Sequence, residues 1–501
     1  MPSYQVSVKW GKEKFENLEV DTDELPELFK AQLYALTNVA PERQKIMLKG
    51  SVLKDDGWGN MKLKNGCMLM MMGTAGELPT APKEKVVFME DMSDSQLAGA
   101  LKLPTGLANL GNTCYMNATV QCLCTVPELN KGLAKYHRRD SGLSRNAPGE
   151  QTILAGLKDT FHKINENSDS FPPFFLVQAL YQAFPHFAEK NEHGVPMQQD
   201  ANECWTQFVR ILQQQLPGEI SDKPENNGSE SGSESGAAVK QSSLIDQYFG
   251  IHFQSTLKCD EAPDEPESSS NETLYQLSCF IDKDVKYVHT GLKNRLTETI
   301  NKHSATLGRD AGYTKTSQID RLPAYLSIQF VRFYYKEKEK INAKILKDVK
   351  FPLNLDVFEL CTPGLQQKLI PIRDKFKIMD DKKLEEEKKA KLEGKKSEKM
   401  EIDEDDKKEY ESYSFADDIG SNNSGLYELQ AVLTHQGRSS SSGHYVAWIK
   451  RSNQSWVKCD DDKISHITAE EVLRLSGGGD WHCAYVLLYG PRRLEKSKET
   501  E

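Results

Sequence analysis

The stretch from residue 74 to residue 100 divides this sequence into two parts that fold separately. It carries Pro79, Pro82 and mixed charges with little apolar periodicity, which is typical of a flexible tether. The chain has 501 residues, more than one hydrophobic core usually supports, so two or more domains are expected. We predict a small domain over residues 1–76, a linker over 77–100, a large domain over 101–491 and a charged tail over 492–501.

The first 72 residues have the pattern of a small α+β unit. The residues that alternate with polar neighbours in its first two strands are Tyr4, Val6, Val8, Phe15, Leu18 and Val20. Asp21 or Thr22 is expected to cap a helix over residues 25–36. The predicted apolar face of that helix consists of Leu28, Phe29, Leu33 and Leu36. A strand over 46–48, a turn at 49–50 and a last strand through 68–72 complete the unit.

This order of elements resembles ubiquitin, which implies a β-grasp domain. Residues 72–74 are Met, Gly and Thr, whereas ubiquitin ends on an arginine and a double glycine through which it is conjugated. The unit is therefore expected to be a docking module and not a tag. Met47 and Met71 fall where ubiquitin has its apolar recognition patch, so we predict a soft, adaptable partner-binding face there. The basic residues around this patch are Arg43, Lys45 and Lys49.

Three polar segments interrupt the large domain, near residues 218–240, 260–273 and 380–411. The first consists largely of Asn, Gly, Ser and Glu, and the second is acidic, so neither is expected to bury a core. Two interpretations are open for the Lys/Glu run of the third segment. It forms either an exposed helix with (i, i+4) ion pairs or a disordered insertion, and its composition favours the insertion.

Charge and hydropathy exclude several classes of function. The net charge of -10 argues against nucleic acid as a partner, because phosphate binding requires a basic surface. No apolar run approaches the roughly 20 residues that span a bilayer, so no transmembrane segment is predicted. The first residues lack the charged-then-apolar pattern of a signal peptide. A location in the cytoplasm or nucleus is expected.

The ten cysteines are expected to be thiols, because disulfides are rare in that compartment. Structural zinc requires paired CxxC or CxxH units, and the sequence has none, so neither a metal nor another cofactor is predicted. Most of the cysteines should be small buried apolar residues. Their positions are 67, 114, 122, 124, 204, 259, 279, 361, 459 and 483.

Cys114 stands out because a glycine-rich turn precedes it and a helix-compatible run follows it. Asn112 or Thr113 can cap that helix, which would place the Cys114 sulfur at the positive end of the helix dipole. A thiolate is stabilised there, and the thiolate is the nucleophilic form of cysteine. Asn109 lies one turn away and can donate an amide N–H to an oxyanion. A purely structural cysteine is the alternative interpretation.

A histidine and a carboxylate that could complete such a site lie far along the chain. His444 follows a loop of small residues and begins a strand, and Asp460 is placed to lie on a neighbouring strand. A carboxylate in that position can hold an imidazole in the correct tautomer. Thiol enzymes commonly draw these partners from distant parts of the sequence. His435 is a competing base, but it lies in the middle of a predicted strand, which favours a structural role.

Taken together, these motifs resemble the ubiquitin-specific protease family. The run Gly-Leu-Ala-Asn-Leu-Gly-Asn-Thr-Cys-Tyr-Met-Asn at residues 106–117 matches the cysteine box of that family. The other matching segments are 121–123, 198–203, 322–333, 351–352, 427–432, 443–445 and 484–489. The resemblance implies a papain-like cysteine protease domain with fingers, palm and thumb, and hence an α+β protein. Because Cys259 and Cys279 lack paired cysteines, we predict fingers without zinc.

The resemblance also implies a role for individual residues. Cys114 becomes the nucleophile, His444 the base and Asp460 its orienting carboxylate, and Asn109 becomes the oxyanion donor. The residues assigned to the groove for the ubiquitin tail are Gln199, Asp200 and Tyr445. A carboxylate accepts the N–H groups of an extended peptide well, although Asp200 can also serve as an ordinary helix cap.

An N-terminal ubiquitin-like domain on this catalytic domain resembles the members of the family that associate with the proteasome. The resemblance implies binding to the regulatory particle of the 26S proteasome through that domain and removal of ubiquitin from polyubiquitinated proteins. The serine-rich segment 436–443 is predicted to be a loop that gates the groove, with Ser439, Ser440, Ser441 and Ser442 as regulatory residues. A passive connector is the alternative.

Two other functions remain open. A ubiquitin-binding regulator without activity would fit the same fold, although the intact Cys114, His444, Asp460 and Asn109 argue against it. A protease for another ubiquitin-like tag would share the same chemistry. Labelling with ubiquitin that carries a C-terminal electrophile, beside probes made from other tags, distinguishes these functions.

Overall fold

The computed structural model describes residues 3–54, 57–59, 61–74, 103–136, 148–166, 169–219, 242–336, 341–392, 409–439, 442–451, 455–479 and 481–496. The chain forms two compact units, Met1–Asp91 and Met92–Glu501. The predicted linker over residues 77–100 lies outside the described residues. So does the predicted polar segment near 218–240, apart from Gly218 and Glu219. The exact domain boundaries stay predictions.

A five-stranded sheet and one helix build the first unit. The strands are β1 (Ser3–Trp10), β2 (Glu13–Asp21), β3 (Lys45–Leu48), β4 (Ser51–Val52) and β5 (Met68–Met72), and the helix is α1 (Pro26–Thr37). The sheet order is β2-β1-β5-β3-β4, and only β1 and β5 are parallel neighbours in it. Phe29 and Leu33 of α1 share a core with Val6, Val8 and Leu69 of the sheet. The predicted strands at 46–48 and 68–72 are confirmed.

The start of α1 differs from the prediction. Leu25 occupies the N-cap position without a side-chain hydrogen bond, and Pro26 follows at the first helical position. Proline is favoured there because its missing N–H would have had no partner within the helix. The predicted cap by Asp21 or Thr22 is therefore wrong.

The buried face of α1 is narrower than predicted. Phe29 and Leu33 are buried, whereas Leu28 and Leu36 are 66% and 46% exposed. A helix turns by about 100° per residue, so only part of a four-residue apolar set can point into a core. Leu28 and Leu36 therefore do not contribute to the core of this unit.

Alternation along β5 corrects the predicted methionine patch. Met71 is 3% exposed and belongs to the core, so it cannot form part of a binding surface. Met68, Met70 and Met72 point to the other side of the sheet and are 47%, 51% and 52% exposed. Met47 is partly exposed and pairs with Met70 across the strands. The exposed methionine face thus consists of Met47, Met68, Met70 and Met72, because side chains change sides at every strand residue.

The first helix of the second unit begins at the residue predicted to be the nucleophile, and eight more described helices follow it. These helices are α2 (Cys114–Leu123), α3 (Pro127–Lys135), α4 (Pro148–Asn165), α5 (Phe174–Ala183), α6 (Ala201–Gln215), α7 (Leu244–Phe249), α8 (Val288–Arg295), α9 (Pro363–Leu392) and α10 (Ala469–Leu473). Every residue of α2 is buried. A single apolar cluster joins α2 to α4, α6 and strand residues that include Tyr445 and Tyr485.

An eight-stranded sheet carries the predicted histidine and aspartate. Its strands are β8 (Leu277–Phe280), β11 (Leu326–Val331), β14 (Asn354–Asp356), β15 (Leu426–Ser439), β16 (Ser442–Lys450), β17 (Ser455–Asp460), β18 (Lys463–Thr468) and β19 (Cys483–Pro491). The order is β18-β17-β16-β15-β19-β11-β8, with β14 beside β15. His444 near the start of β16 and Asp460 at the end of β17 therefore lie on adjacent strands.

A separate four-stranded sheet corrects the second predicted polar segment. Strands β6 (Ile251–Cys259), β7 (Ser268–Leu274), β9 (Thr297–Ser304) and β10 (Arg309–Arg321) pair in the order β7-β6-β10-β9. The polar residues 268–273 thus belong to an edge strand and not to an excursion from the fold. They form it because the apolar neighbour β6 supplies both the hydrogen bonds and the buried side chains. Strands β12 (Phe333–Lys336) and β13 (Ile341–Lys344) form a two-stranded hairpin.

Helix α9 corrects the third predicted segment. The Lys/Glu run continues this helix as far as Leu392, so the favoured interpretation of a disordered insertion is wrong over residues 380–392. Arg492 forms a bidentate ion pair with Asp380, at 3.0 Å and 2.5 Å, which ties the helix to the C-terminal residues. The predicted charged tail is therefore partly anchored. Residues 393–408 and 497–501 lie outside the described residues.

The segment predicted to be a serine-rich loop is the end of a β-hairpin. Gln436 pairs with His444 and Ser439 pairs with Ser442, with an irregularity between the two pairs. Ser440 and Ser441 lie outside the described residues. The prediction of an eight-residue loop is wrong, whereas a regulatory role of the serines stays a prediction. Among the described residues, no helix combines the length and the apolar character that crossing a membrane requires.

Candidate active site

Cys114 is the first residue of α2, as predicted, but the turn before it is built differently from the prediction. Asn112 has a left-handed backbone with φ of 55°, and its side-chain amide donates to the carbonyl of Pro196. Thr113 stands at the N-cap position without a side-chain hydrogen bond into the helix, and its hydroxyl accepts the N–H of Leu110. Neither residue caps α2. The Cys114 side chain is nevertheless located at the positive end of the helix dipole.

His444 is located between Cys114 and Asp460. Its Nε2 lies 2.6 Å from Oδ1 of Asp460, and its ring is within hydrogen-bonding reach of Cys114. The hydrogen bonds to Asp460 and Cys114 raise the pKa of His444 to about 10. The same bond to His444 lowers the pKa of Asp460, and Lys458 lowers it further. The imidazolium form of His444 is therefore stabilised beside the Asp460 carboxylate, and Nδ1 is left to face the Cys114 sulfur.

Glycine is required immediately before the histidine. Gly443 has φ of 137°, and a Cβ at this position would lie 2.2 Å from the carbonyl oxygen of Gln436. The backbone of β16 therefore approaches β15 more closely than a side chain permits. This close approach sets the direction from which His444 enters the site.

Asn109 is tied to a residue that the sequence did not single out. Its Nδ2 donates to Oδ2 of Asp461 at 2.9 Å, and its Oδ1 accepts the N–H groups of Gly111 and Thr113. The other carboxylate oxygen of Asp461 accepts Nδ2 of Asn117 at 2.9 Å. An amide nitrogen carries two hydrogens, so the second hydrogen of Asn109 remains available for an oxyanion. Asp461 thus holds the predicted oxyanion donor and helix α2 together.

Gln198 is a second residue without a predicted role that approaches the sulfur. Its Nε2 lies 4.0 Å from the Sγ of Cys114. Gln199, the residue predicted to bind the tail, instead donates its amide to the carbonyl of His186 at 3.1 Å. Gln198 lies within the motif 198–203, so the sequence placed it near the site. The motif does not reveal which of the two adjacent glutamines faces the cysteine.

Asp200 is a helix cap in this structure. Its Oδ1 accepts the N–H groups of Asn202 and Glu203 at the start of α6, and its Oδ2 accepts the hydroxyl of Tyr485 at 2.7 Å. Burial raises the pKa of Asp200, and these three hydrogen bonds oppose the shift. The cap interpretation is therefore correct. Oδ2 can still accept one further hydrogen bond, because a carboxylate oxygen has two lone pairs and Oδ1 already uses both.

Tyr445 is fully buried, so the prediction that it binds substrate directly is wrong. It is 1% exposed and packs with its ring centroid 4.7 Å from that of His435. It supports the site from beneath, because consecutive strand residues point to opposite sides and His444 occupies the open side.

His435 does not compete with His444 as a base. Its Nδ1 lies 2.9 Å from Nζ of Lys344, and the residue is completely buried. Burial and the Lys344 charge lower the pKa of His435 to about 3, so this ring stays neutral near pH 7. The structural role predicted for it is confirmed.

Cys459, for which the sequence suggested no role, is a core residue. It is 2% exposed, lies in the apolar cluster of α2, and burial raises the pKa of its thiol.

In the described part of the chain, one group of side chains that could bind a metal ion lies close together, namely His444, Asp460 and Asp461. Each of the four carboxylate oxygens in this group already accepts a hydrogen bond from a protein side chain.

Comparison with known proteins agrees with this geometry. The sequence profile of the ubiquitin carboxyl-terminal hydrolase family matches residues 105–489. The chain belongs to that family. It is 41% identical to ubiquitin carboxyl-terminal hydrolase 7 of Arabidopsis thaliana, over 98% of this chain and 99% of that protein. It is 40% identical to ubiquitin carboxyl-terminal hydrolase 6 of Schizosaccharomyces pombe, over 97% and 98% of the two chains.

A third relative extends the match over the same range. Ubiquitin carboxyl-terminal hydrolase 14 of Caenorhabditis elegans is 39% identical over 99% of this chain and 94% of that protein. The family profile begins at residue 105 and leaves out the N-terminal unit. The alignments to these relatives include that unit, because they cover 98% and 99% of this chain. As a ubiquitin carboxyl-terminal hydrolase of the ubiquitin-specific protease type, the chain is a cysteine-type deubiquitinase with a mixed α/β protease domain.

Proposed function

We propose that Cys114, His444 and Asp460 carry out the deubiquitinase reaction on proteins bound at the proteasome. One observation supports this catalytic set: the His444 ring lies between the Cys114 sulfur and the Asp460 carboxylate. Its Nε2 is 2.6 Å from Oδ1 of Asp460. A nucleophile, a base and an orienting group in contact are what covalent catalysis by a thiol requires.

In the first half of the reaction, the proton of the Cys114 thiol has moved to His444, and the sulfur attacks the carbonyl carbon of the last glycine of ubiquitin. Asn109 and the backbone N–H of Cys114 stabilise the oxyanion of the tetrahedral intermediate. The bond from this carbon to the lysine nitrogen of the conjugate then breaks, and the nitrogen takes the proton from His444. The products are a free amine and a thioester between ubiquitin and Cys114.

In the second half, a water molecule attacks the thioester. Neutral His444 accepts a proton from this water, and the carbon–sulfur bond breaks. Ubiquitin leaves as a free C-terminal acid, which loses its remaining proton to water, and His444 keeps the other proton opposite the sulfur, as at the start of the cycle. Asp460 remains ionised and orients the imidazole throughout the cycle.

We further propose that the N-terminal unit is a ubiquitin-like docking module for the regulatory particle of the 26S proteasome. Two features support this role. The exposed methionine face of Met47, Met68, Met70 and Met72 offers an adaptable apolar surface. Residues 72–74 lack the double glycine of a conjugated tag. Such a role implies removal of ubiquitin before degradation and a cytoplasmic or nuclear location.

The docking role can be tested by placing charge on the methionine face. We expect the double variant Met70→Asp and Met72→Asp to lose co-sedimentation with purified 26S proteasomes. A matched control carries Gln32→Asp and Ala35→Asp, two exposed positions of α1, and should co-sediment like the wild type. Both proteins should keep wild-type labelling of Cys114 by ubiquitin with a C-terminal electrophile.

Unchanged co-sedimentation of the methionine variant, with normal folding of the unit, would contradict docking through this face. Preferred labelling by an electrophile on another ubiquitin-like tag would instead contradict the proposed substrate. The two results are independent, because one concerns the N-terminal unit and the other the thiol.

A further inference from the structure

A second cation contacts the carboxylate that orients the histidine. Nζ of Lys458 lies 2.7 Å from Oδ2 of Asp460, while Oδ1 of the same carboxylate bonds His444 at 2.6 Å. Lys458 and Asp460 are two residues apart on β17 and therefore point to the same side of the sheet. Rotation of the Asp460 carboxylate would break both bonds at once.

The lysine is held in place and not free at the surface. Its side chain is 25% exposed, and its Nζ lies 5.6 Å from the ring centroid of Trp448, the residue opposite it on β16. Trp448 is 5% exposed, and its indole N–H donates to the hydroxyl of Thr434 at 2.8 Å. An exposed ion pair contributes little because its long side chains move freely. Here the ring and the sheet restrict the lysine.

We propose that Lys458 is a positioning residue for catalysis, which fixes the plane of the Asp460 carboxylate and partly neutralises its charge. Lys458 is positive, Asp460 negative and His444 positive, so the charges of these three side chains alternate from the lysine toward the Cys114 sulfur. This inference depends on the catalytic roles proposed above for Asp460 and His444. It does not depend on the proteasome.

The other ionisable groups near His444 come from several elements. They are Cys114 of α2, Asp461 of the turn after β17, His435 of β15, His482 before β19 and Lys344 of β13. Burial lowers the pKa of His435 and His482 to about 3 and about 4, so both rings are neutral near pH 7. Lys463, opposite Asp460 on β18, is exposed. Lys458 and His444 are the charged side chains that contact the Asp460 carboxylate, at 2.7 Å and 2.6 Å.

The sign of the effect follows from this arrangement. Lys458 weakens the attraction between Asp460 and the His444 imidazolium, which keeps the pKa of His444 lower than it would otherwise be. Removal of the lysine should raise that pKa. The imidazolium would then be a poorer proton donor to the departing lysine amine, and the deprotonation of His444 would occur at higher pH.

The test uses the full chain and cleavage of an isopeptide-linked ubiquitin substrate between pH 5 and 11. We expect Lys458→Met to lower kcat about tenfold at unchanged KM, because substrate binding does not involve this residue. The alkaline limb of kcat/KM should move up by about half to one pH unit. Lys458→Arg should restore both values. Lys293→Met removes the same charge from α8, where the side chain is 63% exposed and pairs with Glu359 at 3.4 Å, and this control should behave like the wild type.

Two results would overturn the inference. They are wild-type kinetics of Lys458→Met, and a lower kcat without movement of the alkaline limb, which indicates a merely structural role. If Lys458→Met does not fold, Lys458→Gln replaces it in the same assay, because glutamine also removes the charge but has a polar side chain. Asp460→Ala in the same assay tests the catalytic set separately. If Asp460→Ala is inactive and Lys458→Met is normal, only the role of Lys458 is wrong.

Discussion

Substitution of Asp461 should disable the oxyanion donor without touching Cys114, His444 or Asp460. The Asp461 carboxylate accepts amide hydrogens of Asn109 and Asn117, each at 2.9 Å. Asp461→Ala removes both hydrogen bonds, and a hydrogen bond to a charged group contributes about 1.5–3 kcal/mol. Release of the Asn109 amide should therefore lower kcat roughly 10- to 150-fold, below the 10²- to 10³-fold typical of complete removal of an oxyanion donor. KM should change little.

The backbone of Asp461 requires its own control. This residue is left-handed, with φ of 55°, and an alanine there is strained by about 1 kcal/mol. Asp461→Gly removes the same carboxylate without the strain. If the carboxylate is the cause, the glycine and alanine variants should lose activity equally. If turn strain is the cause, the glycine variant should keep its activity.

Steady-state cleavage of a ubiquitin substrate by Asp461→Ala, Asn109→Ala and the double variant measures the coupling between the two residues. Because Asp461 acts through Asn109, the double variant should be no slower than Asn109→Ala alone. Losses that multiply in the double variant would refute the reasoning. A kcat of Asp461→Gly within about threefold of the wild type would also refute it, because the loss of one hydrogen bond to a charged group should lower kcat about tenfold or more.

Two further predictions concern stability. Since the pKa of His444 is raised to about 10 from an ordinary value of about 6.5, its pairing should stabilise the fold fully below about pH 6.5. That contribution should disappear as the pH approaches 10, so the gap in unfolding free energy between wild type and His444→Gln should close. A gap independent of pH would contradict this. Arg332 is completely buried and donates to the carbonyls of Ile345, Lys347, Ser476 and Ala484, so Arg332→Met should cost about 3 kcal/mol or more in urea unfolding. A cost below about 1 kcal/mol would indicate that these carbonyls find other partners.

The sequence by itself determined the features that depend on neighbouring residues. The helix that begins at Cys114, the strand that begins near His444 and the strands of the N-terminal unit follow from local periodicity. The pairing of His444 with Asp460 was also predictable, since both residues lie in recognisable segments near each other in the chain.

Tertiary structure decided which side chain faces which partner. Met71 is buried and Met70 exposed because a shift of one residue in a strand reverses the side on which a side chain lies. Asn109 meets Asp461, and Tyr445 supports the site from beneath, through packing between segments distant in the sequence. The polar residues 268–273 form a strand because β6 lies beside them. Helix α9 extends to Leu392, and Arg492 anchors it at Asp380. Such contacts depend on how separate elements pack, which local sequence patterns do not encode.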